Sequence, residues 1–113
     1  MGNKAAAAFK ALGDPVRLRL FYLLSRHDEL CVCHLTDALQ LPQSTVSRHL
    51  GLLRHAELAS TRREGKWMYY RLNGEIADSL AVLIEPIADT TQQEDLQQLE
   101  NILQGLNPPC ATM

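Results

Sequence analysis

The chain has 113 residues, 46% of them hydrophobic and 21% charged, which suits one soluble globular domain with a core of its own and excludes a two-domain arrangement. Its formal net charge of −2 gives no general affinity for nucleic acid. Three cysteines are too few and too odd for a disulfide framework, and no apolar run approaches a membrane span or a secretory core, so a cytoplasmic protein with free or metal-binding thiols is expected.

Ala5, Ala8, Phe9 and Leu12 recur at helical spacing, which predicts an Ala-rich first helix stopped by Gly13. Asp14-Pro15 then starts a second helix, with Asp as N-cap, Pro at the first helical position, and Val16, Leu20, Leu23 and Leu24 directed to the core. Ser25 to Asp28 end it. Glu29-Leu30-Cys31-Val32 leaves space only for an extended connection, and a third helix follows from about Cys33 or His34 to Gln40.

Leu41-Pro42 breaks the chain before a fourth helix, in which Pro42 suits the first position and Val46, Leu50 and Leu53 form the buried stripe. Gln43, Ser44, Thr45, Ser47, Arg48 and His49 are left at its N-terminal and outward side. A recognition helix needs that arrangement, because its N-terminal residues reach base edges in the major groove. An ordinary helical hairpin with a polar face is the competing reading.

The next stretch favours the DNA reading. Leu58 to Arg63 and Lys66 to Leu72 are two β-prone runs around Glu64-Gly65, which predicts a hairpin whose tip carries Arg62, Arg63 and Lys66. Alternation puts Met68, Tyr70 and Leu72 on one face and Trp67, Tyr69 and Arg71 on the other, as packing residues of the hairpin. Between residues 42 and 72 six Lys and Arg face two Glu, a net +4, whereas residues 73–113 carry seven acidic residues and no cation. The middle of the chain is therefore suited to phosphates, and contacts from the hairpin would position the protein without reading sequence.

Asn73-Gly74 opens a fifth helix with Ile76, Leu80, Leu83, Ile84 and Ile87 as a wide apolar stripe, ended or kinked by Pro86. A last helix is marked by Leu96, Leu99, Ile102, Leu103 and Leu106. The first helix and these two offer more apolar surface than a compact core requires. Homodimerisation would bury it, and a dimer reads two half-sites about 34 Å apart on the duplex. The expected architecture is a mainly α, homodimeric winged helix-turn-helix with a β-hairpin wing over residues 1–106, followed by a flexible tail at 107–113.

Four stretches together resemble the arsenical-resistance and metal-sensing repressors of the ArsR/SmtB type. They are Ala11-Leu12-Gly13-Asp14-Pro15-Val16-Arg17-Leu18, Glu29-Leu30-Cys31-Val32-Cys33-His34-Leu35, Gln43-Ser44-Thr45-Val46-Ser47-Arg48-His49-Leu50 and Arg63-Glu64-Gly65-Lys66-Trp67-Met68-Tyr69-Tyr70. The resemblance spans about residues 5 to 90. It implies a homodimeric winged helix that represses a resistance operon and leaves its double-stranded operator DNA when an inducer binds.

Two cysteines one residue apart are also a common core pattern. A helix start changes the expectation, because the helix dipole and open backbone N–H groups favour thiolates there. Within a regular helix such residues are about 200° apart. With Cys31 before the helix and Cys33 in its first turn, both sulfurs can meet one ligand.

Soft thiolates select soft ions. Trivalent arsenic, as arsenite or methylarsenite, or antimonite is the inducer such a pair suits. The sequence departs from the family's arsenic pattern at His34, where Asp is usual, and at Thr36, where some members carry a third cysteine. Arsenite prefers three thiolates, so Cys110 is a candidate third ligand, from the same or the partner subunit; an uninvolved tail cysteine is the alternative.

His34 with Cys31, Cys33 and Cys110 would suit zinc, cadmium or lead, but a side chain next to Cys33 on the helix is expected to point elsewhere. A redox or reactive-sulfur sensor using Cys31 or Cys33 with Cys110 is a further reading, and a protein-interaction module that never meets DNA a remote one. No carboxylate pair, activated nucleophile or phosphate-cradling loop suggests an enzyme, nor is there a Cys-x-x-Cys in a βαβ setting.

Overall fold

The computed structural model describes residues 3–105, in which six α-helices and three short strands occur. Helix α1, Lys4–Leu12, is capped by the Asn3 side chain accepting from the Ala6 N–H, and Gly13 closes it with a bond from its N–H to the Lys10 carbonyl. Helix α2, Pro15–Arg26, begins as expected: the Asp14 carboxylate accepts from the N–H groups of Val16 and Arg17, and Pro15 occupies the first turn. Leu20, Phe21, Leu23 and Leu24 make α2 the centre of the core, against which α4, α5 and α6 pack.

The segment after α2 is more than a connection. Leu30–Cys31 form strand β1, which pairs with a strand of the hairpin. Helix α3, Val32–Leu39, follows without a gap and takes Cys31 as its N-cap. It ends at Gln40, whose left-handed φ of 58° lets its N–H bond the Thr36 carbonyl and turns the chain sharply.

Helix α4, Gln43–His55, completes the helix-turn-helix. Pro42 is its N-cap and not its first helical residue, with φ −59° and ψ 143°. Val46, Leu50 and Leu53 are fully buried against α2 and α3.

Strands β2, Ala59–Glu64, and β3, Trp67–Leu72, form the hairpin, and the antiparallel sheet runs β1-β3-β2. Glu64 pairs with Trp67, so the two-residue loop is Gly65-Lys66 and not Glu64-Gly65. The shift has a steric cause. The first loop residue of a tight hairpin needs positive φ, which Gly65 supplies at 62° and a glutamate would adopt only with strain.

Tyr70 enters the core and Met68 and Leu72 pack beside it, in line with the expected alternation. Helix α5, Gly74–Ile84, runs into a 3-10 turn at Glu85–Ile87 that contains Pro86. Helix α6, Thr90–Leu103, opens with a capping box between Asp89 and Gln92 and packs on α2 and α3.

The wide stripe expected on α5 divides. Ala77, Leu80 and Ile84 are buried, whereas Ile76, Leu83 and Ile87 are exposed, together with Val82. Leu106 and the tail lie outside the described residues. A helix-turn-helix followed by a hairpin joined to it through β1 is a winged-helix architecture.

Candidate functional site

Cys31 holds two positions at once: its backbone pairs with Tyr69 in the wing sheet, and its side chain caps α3 by accepting from the Cys33 N–H at 3.4 Å. Its φ of −72° and ψ of 142° are extended, so Cys33 in the first helical turn brings its Sγ to 2.7 Å from that of Cys31. The extended-to-helical junction that convergence requires is present. Cys31 is buried and Cys33 half-buried. Cys110 lies outside the described residues.

His34 does not point away. Its ring nitrogen and the two sulfurs lie within 4.8 Å of one another, a grouping the position beside Cys33 had argued against. Burial pushes the His34 imidazole below the usual histidine range, opposed by the nearby Asp37 carboxylate, so the ring is neutral and able to donate a lone pair near pH 7.

A cleft of about 370 Å³ joins these thiols to α4 and the wing. It is lined by Cys31, Cys33, Gln43 and Ser47 of the helix-turn-helix and by Arg63, Lys66, Trp67 and Met68 of the wing. A ligand on the sulfurs would therefore face both elements.

Of the residues expected to meet DNA, Gln43, Ser44, Ser47, Arg48, Arg63 and Lys66 are exposed and Thr45 is half-buried. His49 is a correction. It is only 6% exposed, because the helical period turns it inward toward α2, where Nδ1 lies 3.1 Å from the Arg17 guanidinium and 3.7 Å from Asp14. Its Nε2 is 3.4 Å from Arg48. It touches the exposed Arg48 and is not itself part of the outward face of α4.

Arg62 is exposed but already paired. Its guanidinium donates to Glu29 at 2.7 and 3.0 Å and to Glu64 at 2.7 Å, and lies 4.7 Å above the Tyr69 ring. The bond from Arg62 holds the Glu29 carboxyl below the usual range. Arg63 and Lys66 are therefore the better candidates for phosphate. Glu29 carried no sequence signal as a wing partner, because that contact arises only when β1 joins the sheet.

Arg17 was also not singled out from sequence. It donates to the Ala11 carbonyl at 2.6 Å and stands beside His49, tying the end of α1 and the start of α2 to α4. Burial works against the Asp14 charge, but the Arg17 N–H, the Arg17 charge, the nearby His49 ring and the Val16 N–H outweigh it and lower its pKa.

A helix-turn-helix with exposed polar residues along α4, flanked by a wing that exposes Arg63 and Lys66, defines the class as a winged-helix regulator. Residues 14–61 match the family described as bacterial regulatory protein, arsR family. The chain is 44% identical over 85 residues to the arsenic resistance transcriptional regulator ArsR1 of Pseudomonas putida, covering 75% of this chain and 66% of that protein's length.

It is likewise 44% identical over 91 residues to the arsenical resistance operon repressor of Escherichia coli, covering 80% of this chain and 77% of that one. Reduced HlyU from Vibrio cholerae has a similar structure, with a TM-score of 0.70, 32% identity, and coverage of 74% of this chain and 87% of that one. The chain belongs to the arsR family of bacterial regulatory proteins. No described helix is long and apolar enough to cross a membrane.

Proposed function

We propose that this chain is an arsenic-responsive transcriptional repressor. A cytoplasmic homodimer binds operator DNA through Gln43, Ser44, Thr45, Ser47 and Arg48 in the major groove and Arg63 and Lys66 on the phosphates, with Arg62 at the wing edge. Trivalent arsenic or antimony releases it by binding the reduced thiols of Cys31 and Cys33. One domain over residues 1–106 carries both DNA binding and dimerisation.

The single observation that carries this reading is the cleft shared by the thiols, α4 and the wing. The names of the similar Pseudomonas putida and Escherichia coli proteins support the inducer class. Each thiol gives up a proton and forms a sulfur–metalloid bond, displacing hydroxide from arsenite, which leaves as water. The third position is filled by hydroxide, a small thiol or Cys110.

Because Cys31 belongs to the wing sheet and also caps α3, drawing its sulfur into a new bond changes the setting of wing and reading helix together. DNA then weakens inducer binding by the factor by which inducer weakens DNA binding. The test is anisotropy of labelled operator with the reduced protein. Arsenite is expected to release the wild type and to leave a Cys31→Ser, Cys33→Ser double variant bound; equal release of both would overturn the reading.

A further inference from the structure

We propose that the cleft between α1 and the C-terminal end of α4 is a further docking surface for the DNA backbone, in which Lys10, Arg17 and His55 hold a phosphate on the flank of α4 opposite the wing. The inference rests on α4 being the helix that meets DNA, and it extends the contact with the duplex to α1 and α2.

The cleft has a volume of about 370 Å³. Its lining is three nitrogen-bearing side chains, those of Lys10, Arg17 and His55, together with alanines and Leu52, and no carboxylate is among them. That mixture fits a sugar-phosphate unit, with charge for the phosphate oxygens and carbon for the deoxyribose. A free inorganic anion would use only the first.

Helical period places the cleft beside the outward face of α4. Ser44, Arg48 and His55 fall within about 40° of one another around the helix, and Ser44 and His55 stand about 16 Å apart along it. All three are exposed. Gln43 and Ser47 line the cleft shared with the wing, whereas Leu52 and His55 line this one, so the two clefts flank the stripe on opposite sides.

The side chains make the surface continuous. The His49 imidazole has the Arg17 guanidinium at 3.1 Å on one side and that of Arg48 at 3.4 Å on the other, so cations follow one another from Arg48 to Arg17 and Lys10. Arg17 is held before any phosphate arrives, because its Nε donates to the Ala11 carbonyl at 2.6 Å and its Nη1 faces His49. Its Nη2 has no hydrogen-bond partner among the described residues.

The nearby acids are engaged elsewhere. Asp14 accepts from the N–H groups of Val16 and Arg17, and Glu57 pairs with Lys4 at 3.5 Å. The end of α4 adds about half a negative charge, which the two full charges of Lys10 and Arg17 outweigh. The His55 ring offers an N–H even when neutral.

The test is the salt dependence of operator binding by the full-length chain. Lys10→Ala is expected to lower the slope of log affinity against log salt by about 1, as loss of one phosphate contact does. Lys4→Ala removes the same charge from the same helix and should leave the slope unchanged. Ethylation interference with the wild type, which depends on no variant's folding, should mark phosphates that the Arg63→Ala and Lys66→Ala variants still require and that Lys10→Ala no longer does.

An interference pattern identical in wild type and Lys10→Ala, or an equal fall of slope in Lys4→Ala, overturns the proposal. Dissociation of the dimer by Lys10→Ala would place a second copy of the chain in the cleft and also overturn it. A lower slope in Arg63→Ala with none in Lys10→Ala rejects this inference alone, whereas unchanged slopes in every variant reject the DNA reading with it.

Discussion

At the scale of single residues, His49 carries a pH signature. Burial lowers its pKa, opposed by Asp14 and reinforced by Arg48 and Arg17, so the folded chain holds the ring neutral where the unfolded chain begins to protonate it. The unfolded state then binds more protons, and stability falls as pH drops through about 6.5 toward the lower folded value. Urea unfolding between pH 7.5 and 5.5 should show this loss, and His49→Gln should flatten it. At pH 7.5 the same substitution, by disturbing the contact with Arg17, is expected to cost about 1–2 kcal/mol.

The wing makes its prediction as an element. Arg63 and Lys66 are exposed, whereas the Arg62 charge is offset by Glu29 and Glu64. Replacing Arg63 or Lys66 with Ala should weaken operator binding and lower the slope of log affinity against log salt by about 1 each. Arg62→Ala should change that slope less and disturb the sheet more. The hairpin itself depends on Gly65 at φ 62°, and Gly65→Ala should destabilise the chain by about 1 kcal/mol, measurable by thermal unfolding.

The whole molecule is closed by the ion pair between Arg19 of α2 and Asp95 of α6, at 2.8 and 2.9 Å, with Asp95 buried and Arg19 also donating to the Leu39 carbonyl of α3. Arg19→Ala leaves a buried carboxylate unpaired and should cost about 3 kcal/mol, read as a lower urea midpoint with an unchanged slope. On the outside, Phe9, Val82, Leu83 and Ile87 are each more than half exposed. A joint Val82→Glu, Leu83→Glu variant is expected to sediment as a monomer and to lose operator affinity at least about 100-fold, because two half-sites then bind independently.

Sequence alone determined the elements whose signal is local. Asp14-Pro15 marks a helix start because a carboxylate and a ring each satisfy one orphan position there, and the apolar spacing of α2 and α4 follows the helical period over several turns. The thiol pair was legible for the same reason, as a junction between extended and helical backbone. The tertiary structure decided whatever depends on a partner distant in the chain.

Strand β1 is two residues long, too short for any period, and exists because Tyr69 and Tyr70 accept its pairing. Arg62 has the charge expected of it but is held by Glu29, 33 residues away, and His49 is turned inward toward Arg17, 32 residues away. His34 joins the sulfurs because backbone direction at the N-cap, and not spacing along a regular helix, sets where its ring goes.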